Sequence, residues 1–556
     1  MADFYSEIIS IIKEKKPSKK ELNKLKNRIS AKYKLKKIPT DADILLHASP
    51  EDYKKLRLIT KPTRTLSGVA PIALMTLPHK CPHGTCIYCP GGPGSVFGDV
   101  PQSYTGKEPS TMRSLRNKYD PYLIVFNRLE QYIILNQNPE KTEIIIQGGT
   151  FPALDKKYKE EYVMYIYKAM NDFSQIFYNN NLDILKFRDF FELPGNINDN
   201  NRTNKIHKKL LKIKGTSNLD KEQKKNETSK IRCVGLTIET KPDFGLLKQG
   251  NEMLAYGCTR VELGIQTTDN NILKFVNRGH TLKESIESTR VLKDLGFKIN
   301  YHMMPGLPLS NPEKDLAMLK ETINNPDYRP DMFKIYPTMV MKGTVLFKMW
   351  ERGKYNPITT ETAAEIISNF KSYVPYWIRI MRVQRDIPTL ITEAGVDRTN
   401  LRQYVEKKNI KCNCIRCREA GLLSRKKNID TNMKLFVEKY EASKGLEYFI
   451  SFEDPKREIL FGYARLRIPS QYLRKEITNK SALLRELHVV GTAVGIGEQG
   501  NIQHKGLGKK LLKKIEEISK NNGKNKIVVI SGVGAREYYR KFGYKKEGPY
   551  MVKILK

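Results

Sequence analysis

Acidic residues, long apolar runs and cysteines are all in short supply in this chain, and each shortage excludes something. Against 98 Lys and Arg there are only 60 Asp and Glu in 556 residues, a formal net charge of +38. That is far beyond what solubility requires, so the expected partner is a polyanion. No apolar run approaches the roughly 18 residues that span a bilayer. The opening MADFYSEIIS has no basic start followed by an apolar core, so neither a membrane span nor a signal peptide is expected. The expected compartment is the cytoplasm. Six of the eight cysteines fall in two tight triplets, which argues for metal or cluster ligation in a reducing compartment and against disulfides. Cys233 and Cys258 lie in apolar strand patterns and are core candidates.

At this length the chain exceeds a single core. Residues 1–64 form a basic helical N-terminal extension, and residues 13–37 alone carry twelve Lys or Arg against two acids. That run lacks a clear aromatic or leucine face and is broken by Pro17, which disfavours a membrane-surface helix. Residues 205–232 hold ten basic residues and three acids. Runs of this density neutralise phosphates and release counterions, giving affinity without sequence reading.

Over residues 65–345 the pattern alternates strand and helix. The strand candidates are Glu143 to Ile146, Val234 to Ile238, Arg260 to Ile265, Ile299 to Met303 and Met332 to Tyr336, too uniformly apolar for a half-exposed sheet. Thr281 to Glu284 is a capping box, and Asn311-Pro312 opens another helix. Repeated units of this kind predict parallel strands in a partial (β/α) barrel with its chemistry at the strands' C-terminal ends. The polar stretch Gly195 to Ser229 reads as a surface insertion or mobile loop. Residues 346–435 read as a helical linker, with Arg416 and Arg418 on a basic surface, and residues 436–556 as a second α/β domain.

Four motifs carry chemistry. Cys81, Cys86 and Cys89 either hold three irons of a [4Fe–4S] cluster and leave the fourth iron open, or bind structural zinc together with His79 or His83. Gly148-Gly149 directly follows a strand, where absent side chains let a ligand approach the backbone. Cys412, Cys414 and Cys417 suit a structural zinc, with a second iron–sulfur cluster as the alternative. Gln503-His504-Lys505-Gly506-Leu507-Gly508 opens a helix whose free N–H groups suit a pyrophosphate. Glu239, Lys241, Glu262 and Gln266 fall at or just after barrel strands and are candidate ligand contacts.

The cysteine loop resembles that of the radical S-adenosylmethionine (SAM) enzymes, although its C-x4-C-x2-C spacing is one residue longer than their usual C-x3-C-x2-C. More specifically, CPHGTCIYCPGGP, QSYTGKEPSTMR, GLTIETKPD, VELGIQT and SGVGAREYYRKFGY resemble the catalytic subunit of Elongator, from about residue 65 to the C-terminus. The resemblance implies an α/β multidomain chain with a TIM-like radical-SAM partial barrel and a GCN5-related N-acetyltransferase domain. It implies an enzyme that uses acetyl-CoA and SAM to build a carboxymethyl group on C5 of the wobble uridine of tRNA, reached at the anticodon stem-loop, with an electron donor. In that family a deoxyadenosyl radical takes hydrogen from the acetyl methyl group, the carbon radical adds to uridine, and the thioester is hydrolysed. Carried over, Cys81, Cys86 and Cys89 hold the cluster and Gly148 and Gly149 meet the methionine end of SAM. Acetyl-CoA meets Lys141, Glu486, Leu487, His488, Val489, Gln503, Gly506, Leu507, Gly508, Lys509 and Tyr539. Tyr539 is the general acid to the leaving thiolate, with Tyr538 as its less favoured neighbour. The rival reading is a protein lysine acetyltransferase whose cluster is only structural.

Overall fold

The computed structural model describes residues 3–56, 58, 65, 67–196, 199–425, 429–491 and 506–556. Gln503 and Lys505 therefore lie outside the described residues. Seven strands form one sheet in chain order: β1 (Ala70–Met75), β2 (Lys141–Gln147), β3 (Arg232–Thr240), β4 (Arg260–Gln266), β5 (Lys298–Met303), β6 (Met332–Ile335) and β7 (Arg379–Arg382). Every neighbouring pair is parallel. β1 and β7 are the two edges, so the barrel is open. All five expected strands are present, each within two residues of its expected limits. β7 was not expected, because it lies inside the segment read as helical. Its sequence Arg-Ile-Met-Arg is short, with only Ile380 fully buried, too little for a periodic signal.

The basic run at the N-terminus folds into four helices, α1 (Phe4–Lys15), α2 (Lys19–Lys32), α3 (Asp41–His47) and α4 (Pro50–Lys55). Phe4, Ile8, Ile9 and Ile12 of α1, which precede the basic run, meet Leu22 and Ile29 of α2 in a small core of their own. Pro17 lies between two helices and interrupts neither. Of the twelve basic residues in 13–37, only Lys26 is buried, paired with Asp41 at 2.6 Å. Arg188 docks this unit on the barrel by donating to the carbonyls of Ala48 and Leu45, both at 2.7 Å.

The stretch 195–229 is also corrected, from loop to two helices, α5 (Asn200–Lys214) and α6 (Leu219–Asn226). Arg202, Ile206, His207 and Leu210 recur on one face of α5 and are buried. Half of that face is charged or polar, which is why composition concealed its period. Arg202 pairs with buried Glu130 at 2.5 Å, and in α6 Glu222 accepts from Asn171 at 2.7 Å. Polar groups are tolerated in such cores when each is satisfied.

The C-terminal sheet runs β8 (Lys434–Ala442), β9 (Gly445–Glu453), β10 (Leu460–Ile468), β11 (Ser481–Val489), β12 (Lys526–Val529), β14 (Tyr550–Ile554) and β13 (Lys545–Glu547) in spatial order, with helices α8 (Leu507–Asn521) and α9 (Arg536–Arg540). This domain packs on the N-terminal rim of the barrel through fully buried charge. Arg485 donates to Asp331 at 2.8 and 2.5 Å and to the Phe297 carbonyl at 2.7 Å. Arg467 donates to Asp294, the last residue of helix α7 (Leu282–Asp294), at 2.7 Å and to Glu447 at 3.0 Å. Burial opposes the charge on Asp331, yet Arg485, Lys293 and Arg465 hold its carboxyl well below the ordinary range. A network like this specifies orientation more than it adds stability. The chain segment around Gly532 crosses β3 so closely that a Cβ there would lie 2.1 Å from the Val234 carbonyl oxygen. Arg418, expected on a basic surface, turns inward to Glu453 at 2.8 Å. Among the described residues, no helix is long and apolar enough to cross a membrane.

Candidate active site

The C-terminal rim carries the first cysteine triplet. The loop after β1 holds Cys81, Cys86 and Cys89, and Gly148-Gly149 after β2 runs beside it. Gly149 has φ +75°, and a Cβ there would sit 3.1 Å from His79 Nε2 and 3.7 Å from Cys81 Sγ. At Gly148, with φ +109°, it would lie 2.9 Å from Thr76 Oγ1. Both positions therefore require glycine. The Ser103 N–H donates to Cys89 Sγ at 3.1 Å, Cys81 Sγ lies 3.6 Å from Thr150 Oγ1, and His83 Nε2 lies 3.3 Å from Cys86 Sγ. Burial pushes the Cys89 thiol up to about 11 and raises that of Cys81. Thiols in this setting ionise when a metal centre supplies positive charge.

The two triplets differ in compactness. Sulfurs on one tetrahedral zinc stand about 3.8 Å apart, from a Zn–S distance of about 2.3 Å. The Sγ atoms of Cys412, Cys414 and Cys417 all lie within 4.8 Å of one another, which fits a single ion. Cys81, Cys86 and Cys89 form no such group, with or without His79 or His83, which fits three separate irons better than one shared zinc. The compact triplet has no fourth His, Cys, Asp or Glu ligand among the described residues.

Inside the barrel, Glu239, Glu262 and His302 come together. Lys334 Nζ lies between the carboxylates, 3.1 Å from Glu239 and in a short contact with Glu262, and His302 Nε2 is 2.8 Å from Glu262. This ammonium occupies the place a metal cation would take. Burial opposes the Glu262 charge, but Lys334, His302 and Arg260 hold its carboxyl well below the ordinary range. Glu262 is thus paired through Oε2, while its buried Oε1 lies 3.4 Å from Arg260 Nε and accepts no hydrogen bond among the described residues. Glu239 is likewise engaged by Gln147 at 2.9 Å and Tyr104 at 3.1 Å. Lys241 pairs with Asp243 at 3.2 Å. Gln266, at φ +73°, keeps a buried Oε1 with no partner. Sequence reasoning missed Lys334, His302 and Arg278; none lies in a motif with its own chemical signature.

The acetyltransferase features lie at the opposite rim. β11 pairs with β12 only from Ser481 to Leu484. Beyond that point Glu486, Leu487, His488 and Val489 keep β10 as a neighbour on one side and are half-buried. Among the described residues, no strand pairs with their other backbone edge. The Glu486 side chain is already committed, accepting from Arg465 at 2.8 Å and Tyr463 at 3.0 Å. Burial opposes its charge, while Lys298 and Arg465 bring the carboxyl down to about 2. Gly506, at φ +74°, starts α8 without a side-chain cap, and Lys509 is exposed on its first turn. A Cβ on Gly508 would lie 2.4 Å from Tyr538 Oη, so that hydroxyl reaches the helix start. Tyr539 is buried, edge-on to Tyr538 and Tyr544, and burial raises its phenol above the ordinary value. Lys141 is exposed at the start of β2.

Family models match in the order of these parts: ELP3 N-terminal domain over residues 1–66, Radical SAM superfamily over 75–320, Radical_SAM C-terminal domain over 330–411, and Acetyltransferase (GNAT) domain over 499–553. The tRNA uridine(34) acetyltransferase of Methanocaldococcus jannaschii is 47% identical over 530 residues, covering 93% of this chain and 90% of that protein. Human Elongator complex protein 3 is 38% identical over 96% of this chain and 93% of its own length. The solved structure of the archaeal Methanocaldococcus infernus Elp3 with N-terminus deletion (1-46) superposes with a TM-score of 0.71 at 40% identity, covering 88% of this chain and 100% of that one. The chain is a radical SAM half-barrel joined to an acetyltransferase domain, and it belongs to the Elp3 family.

Proposed function

We propose that this enzyme modifies C5 of the wobble uridine of tRNA, using acetyl-CoA as the carbon source and SAM as the radical source, to give the carboxymethyl group. The observation that carries the reading is the pairing of two sites on one unit. A three-thiol loop beside Gly148-Gly149 stands at one rim of the barrel, and an open acetyltransferase strand stands at the other. C5 of uracil is a poor target for simple acyl transfer, which is the chemical reason to join the two. The names of the relatives support tRNA as the substrate, and the twelve-cation N-terminal run supports phosphate contact.

In this reading Cys81, Cys86 and Cys89 hold the [4Fe–4S] cluster, and Gly148 and Gly149 admit the methionine end of SAM. When bound, the cluster and SAM together supply the radical chemistry. The open edge of Glu486 to Val489 holds the pantetheine arm, and the uncapped start of α8 at Gly506, Leu507, Gly508 and Lys509 receives the pyrophosphate. Lys141 contacts the cofactor from the barrel side. Tyr539 holds a proton for the departing thiolate, and burial keeps that phenol protonated; Tyr538 is the less favoured neighbour for the same role. Cys412, Cys414 and Cys417 hold a structural zinc. The chain divides into an RNA-binding unit (1–64), the barrel (65–345), a metal-bearing linker (346–435) and the acetyltransferase (436–556). It works on the anticodon stem-loop in the cytoplasm and takes its electron from a separate donor.

The test is to reconstitute the cluster anaerobically, add tRNA, acetyl-CoA, SAM and a reductant, and analyse the nucleosides by mass spectrometry. Carboxymethyluridine dependent on all four is expected. Acetyl-lysine formed without tRNA or SAM cleavage would replace this reading with the protein acetyltransferase.

A further inference from the structure

The barrel lumen is polar where barrels of this kind are ordinarily packed with branched apolar side chains. Alternate residues of a strand share a face. In β3, β4 and β5 one face supplies Leu236, Val261 and Ile299 to the main apolar core, together with Leu254 and Leu292 of the surrounding helices. The other face is Thr237, Glu239, Arg260, Glu262, Asn300 and His302, of which Glu239, Glu262 and His302 meet inside the barrel. Strand register carries this polar set toward the N-terminal rim: Thr237 is opposite Arg260, Arg260 opposite Lys298, and Glu262 opposite Asn300. Arg260 also reaches Glu143 of β2 at 2.6 Å. At the rim, burial lowers the Lys298 ammonium while Glu486 opposes that shift; burial likewise opposes the charge of Glu486, and Lys298 leads the groups that hold its carboxyl down. Glu486 stands on β11, the strand that the function proposed above gives to acetyl-CoA.

Several groups of this column are buried without a partner. Asn300 is fully buried, and neither its amide nitrogen nor its amide oxygen has a hydrogen bond among the described residues. The same holds for Thr237 Oγ1, Arg260 Nη2 and Glu262 Oε1. Polar atoms left so are costly, and buried water is their ordinary partner. Donors and acceptors are interleaved here, and the cations Arg260 and Lys298 already face Glu143, Glu262 and Glu486. That balance suits water and leaves no charge for an ion to neutralise.

We propose that the lumen between the two rims holds a column of ordered water, bonded to Thr237, Arg260, Glu262 and Asn300, and that the column passes protons away from the acetyltransferase strand. The proton role rests on the function proposed above; the water site does not. Hydrolysis of a thioester breaks its C–S bond and forms a C–O bond to water. One proton of that water ends on the CoA sulfur, and the other must leave, because the acid formed is a carboxylate at neutral pH. The face of β11 that carries Glu486 is packed on the barrel, and the column starts there.

The first measurement is high-resolution diffraction from crystals of the full chain. Water within about 2.7–3.2 Å of the Asn300 amide and of Arg260 Nη2 is expected. An Asn300 amide bonded directly to Arg260 or Glu262, with no water beside it, overturns the proposal. The second measurement compares tRNA-stimulated CoA release by wild type, Thr237→Val, Asn300→Leu and Asn300→Ser. Asn300→Leu dries the column and should lower kcat about tenfold or more with KM for acetyl-CoA unchanged. Thr237→Val should act in the same direction, and Asn300→Ser, which keeps a hydroxyl and room for water, should stay near wild type. Added imidazole carries protons without a column, so it should restore release by Asn300→Leu; a merely deformed barrel would gain nothing from it.

Undiminished release by both Asn300→Leu and Thr237→Val, or a loss in Asn300→Leu that imidazole leaves untouched, overturns the proton role. Should the Leu chain not fold, Thr237→Val keeps the side chain's shape and decides by the same two readouts. A wild type that releases no CoA in the presence of tRNA overturns the function proposed above, and the diffraction result then decides the water site alone.

Discussion

The two rims of the barrel partner their buried arginines in opposite ways. At the N-terminal rim, Arg465, Arg467, Arg485 and Lys293 are fully buried, and Asp294, Asp331 and Glu447 are buried among them. At the C-terminal rim, Arg278 is buried with a carbonyl and a sulfur as its partners. Charge surrounded by opposite charge is architecture, because its partners are already supplied by the fold. Charge without such partners marks a place where a ligand completes the electrostatics. By that criterion the acetyltransferase is held on the barrel in one orientation, and the cysteine rim is built for something that arrives later.

The sharpest break is Cys86→Ala. Loss of one of three thiolates should abolish the iron–sulfur chromophore and SAM cleavage altogether, while acetyl-CoA binding at the far rim persists. Absorbance near the visible band of the cluster and deoxyadenosine release measure the first, and calorimetric titration with acetyl-CoA the second. Full deoxyadenosine production by this variant would remove the cysteine rim from the chemistry.

Next in size is Arg485→Met at the welded rim. It leaves Asp331 and Glu447 short of a cation in a fully buried setting, so a loss of about 3–5 kcal/mol is expected. Denaturant melts of the single variant and of Arg485→Met with Asp331→Leu measure it, and the double variant should recover part of the loss. A single-variant loss under about 1 kcal/mol would show that water reaches the interface and that the contrast between the rims is overstated.

Tyr539→Phe probes whether the two rims communicate. Wild type should release CoA thiol faster when tRNA is present, and the Phe chain should lose that release by about a hundredfold or more while still binding tRNA. Equal release by wild type with and without tRNA would sever the rims functionally. Undiminished release by the Phe chain would take Tyr539 out of the mechanism, and Tyr538, whose hydroxyl reaches the start of α8, becomes the residue to test.

The smallest effect concerns cations facing water. Lys19, Lys20 and Lys24 are exposed on α2, so changing all three to Gln should leave the fold intact and weaken tRNA binding. The wild-type affinity should fall at least about tenfold between 50 and 200 mM salt, and the Gln chain should show a shallower salt slope. A flat profile in wild type would reassign this run to a solvated face.

What was legible in advance follows from how local the signal is. The five apolar barrel strands, the Thr281 box and the Asn311 cap were readable because each depends on consecutive residues. So were Gly148-Gly149 and both cysteine triplets, since ligand spacing is written along the chain. The helices of 195–229 were not, because Arg202, His207, Glu222 and Asn226 fill buried positions with residue types that composition assigns to water. β7 was hidden for a related reason: it is an edge strand, short and half charged, that exists because β6 offers it a ladder.

The sequence by itself determined the parts and their order: a basic helical unit, a parallel barrel with three thiols after its first strand, a second triplet, and a glycine-opened helix in a final α/β domain. These are matters of periodicity, capping and spacing, all set within a few residues. Only the tertiary structure decided which charges face which. It put Lys334 between Glu239 and Glu262, set the cysteine loop and the acetyltransferase strand at opposite rims, and left Arg278 pointing at Cys86 with none of its hydrogen bonds among the described residues going to a carboxylate. Pairing of charges separated by tens to hundreds of residues depends on where the backbone brings them, and on the absence of water there to take a partner's place.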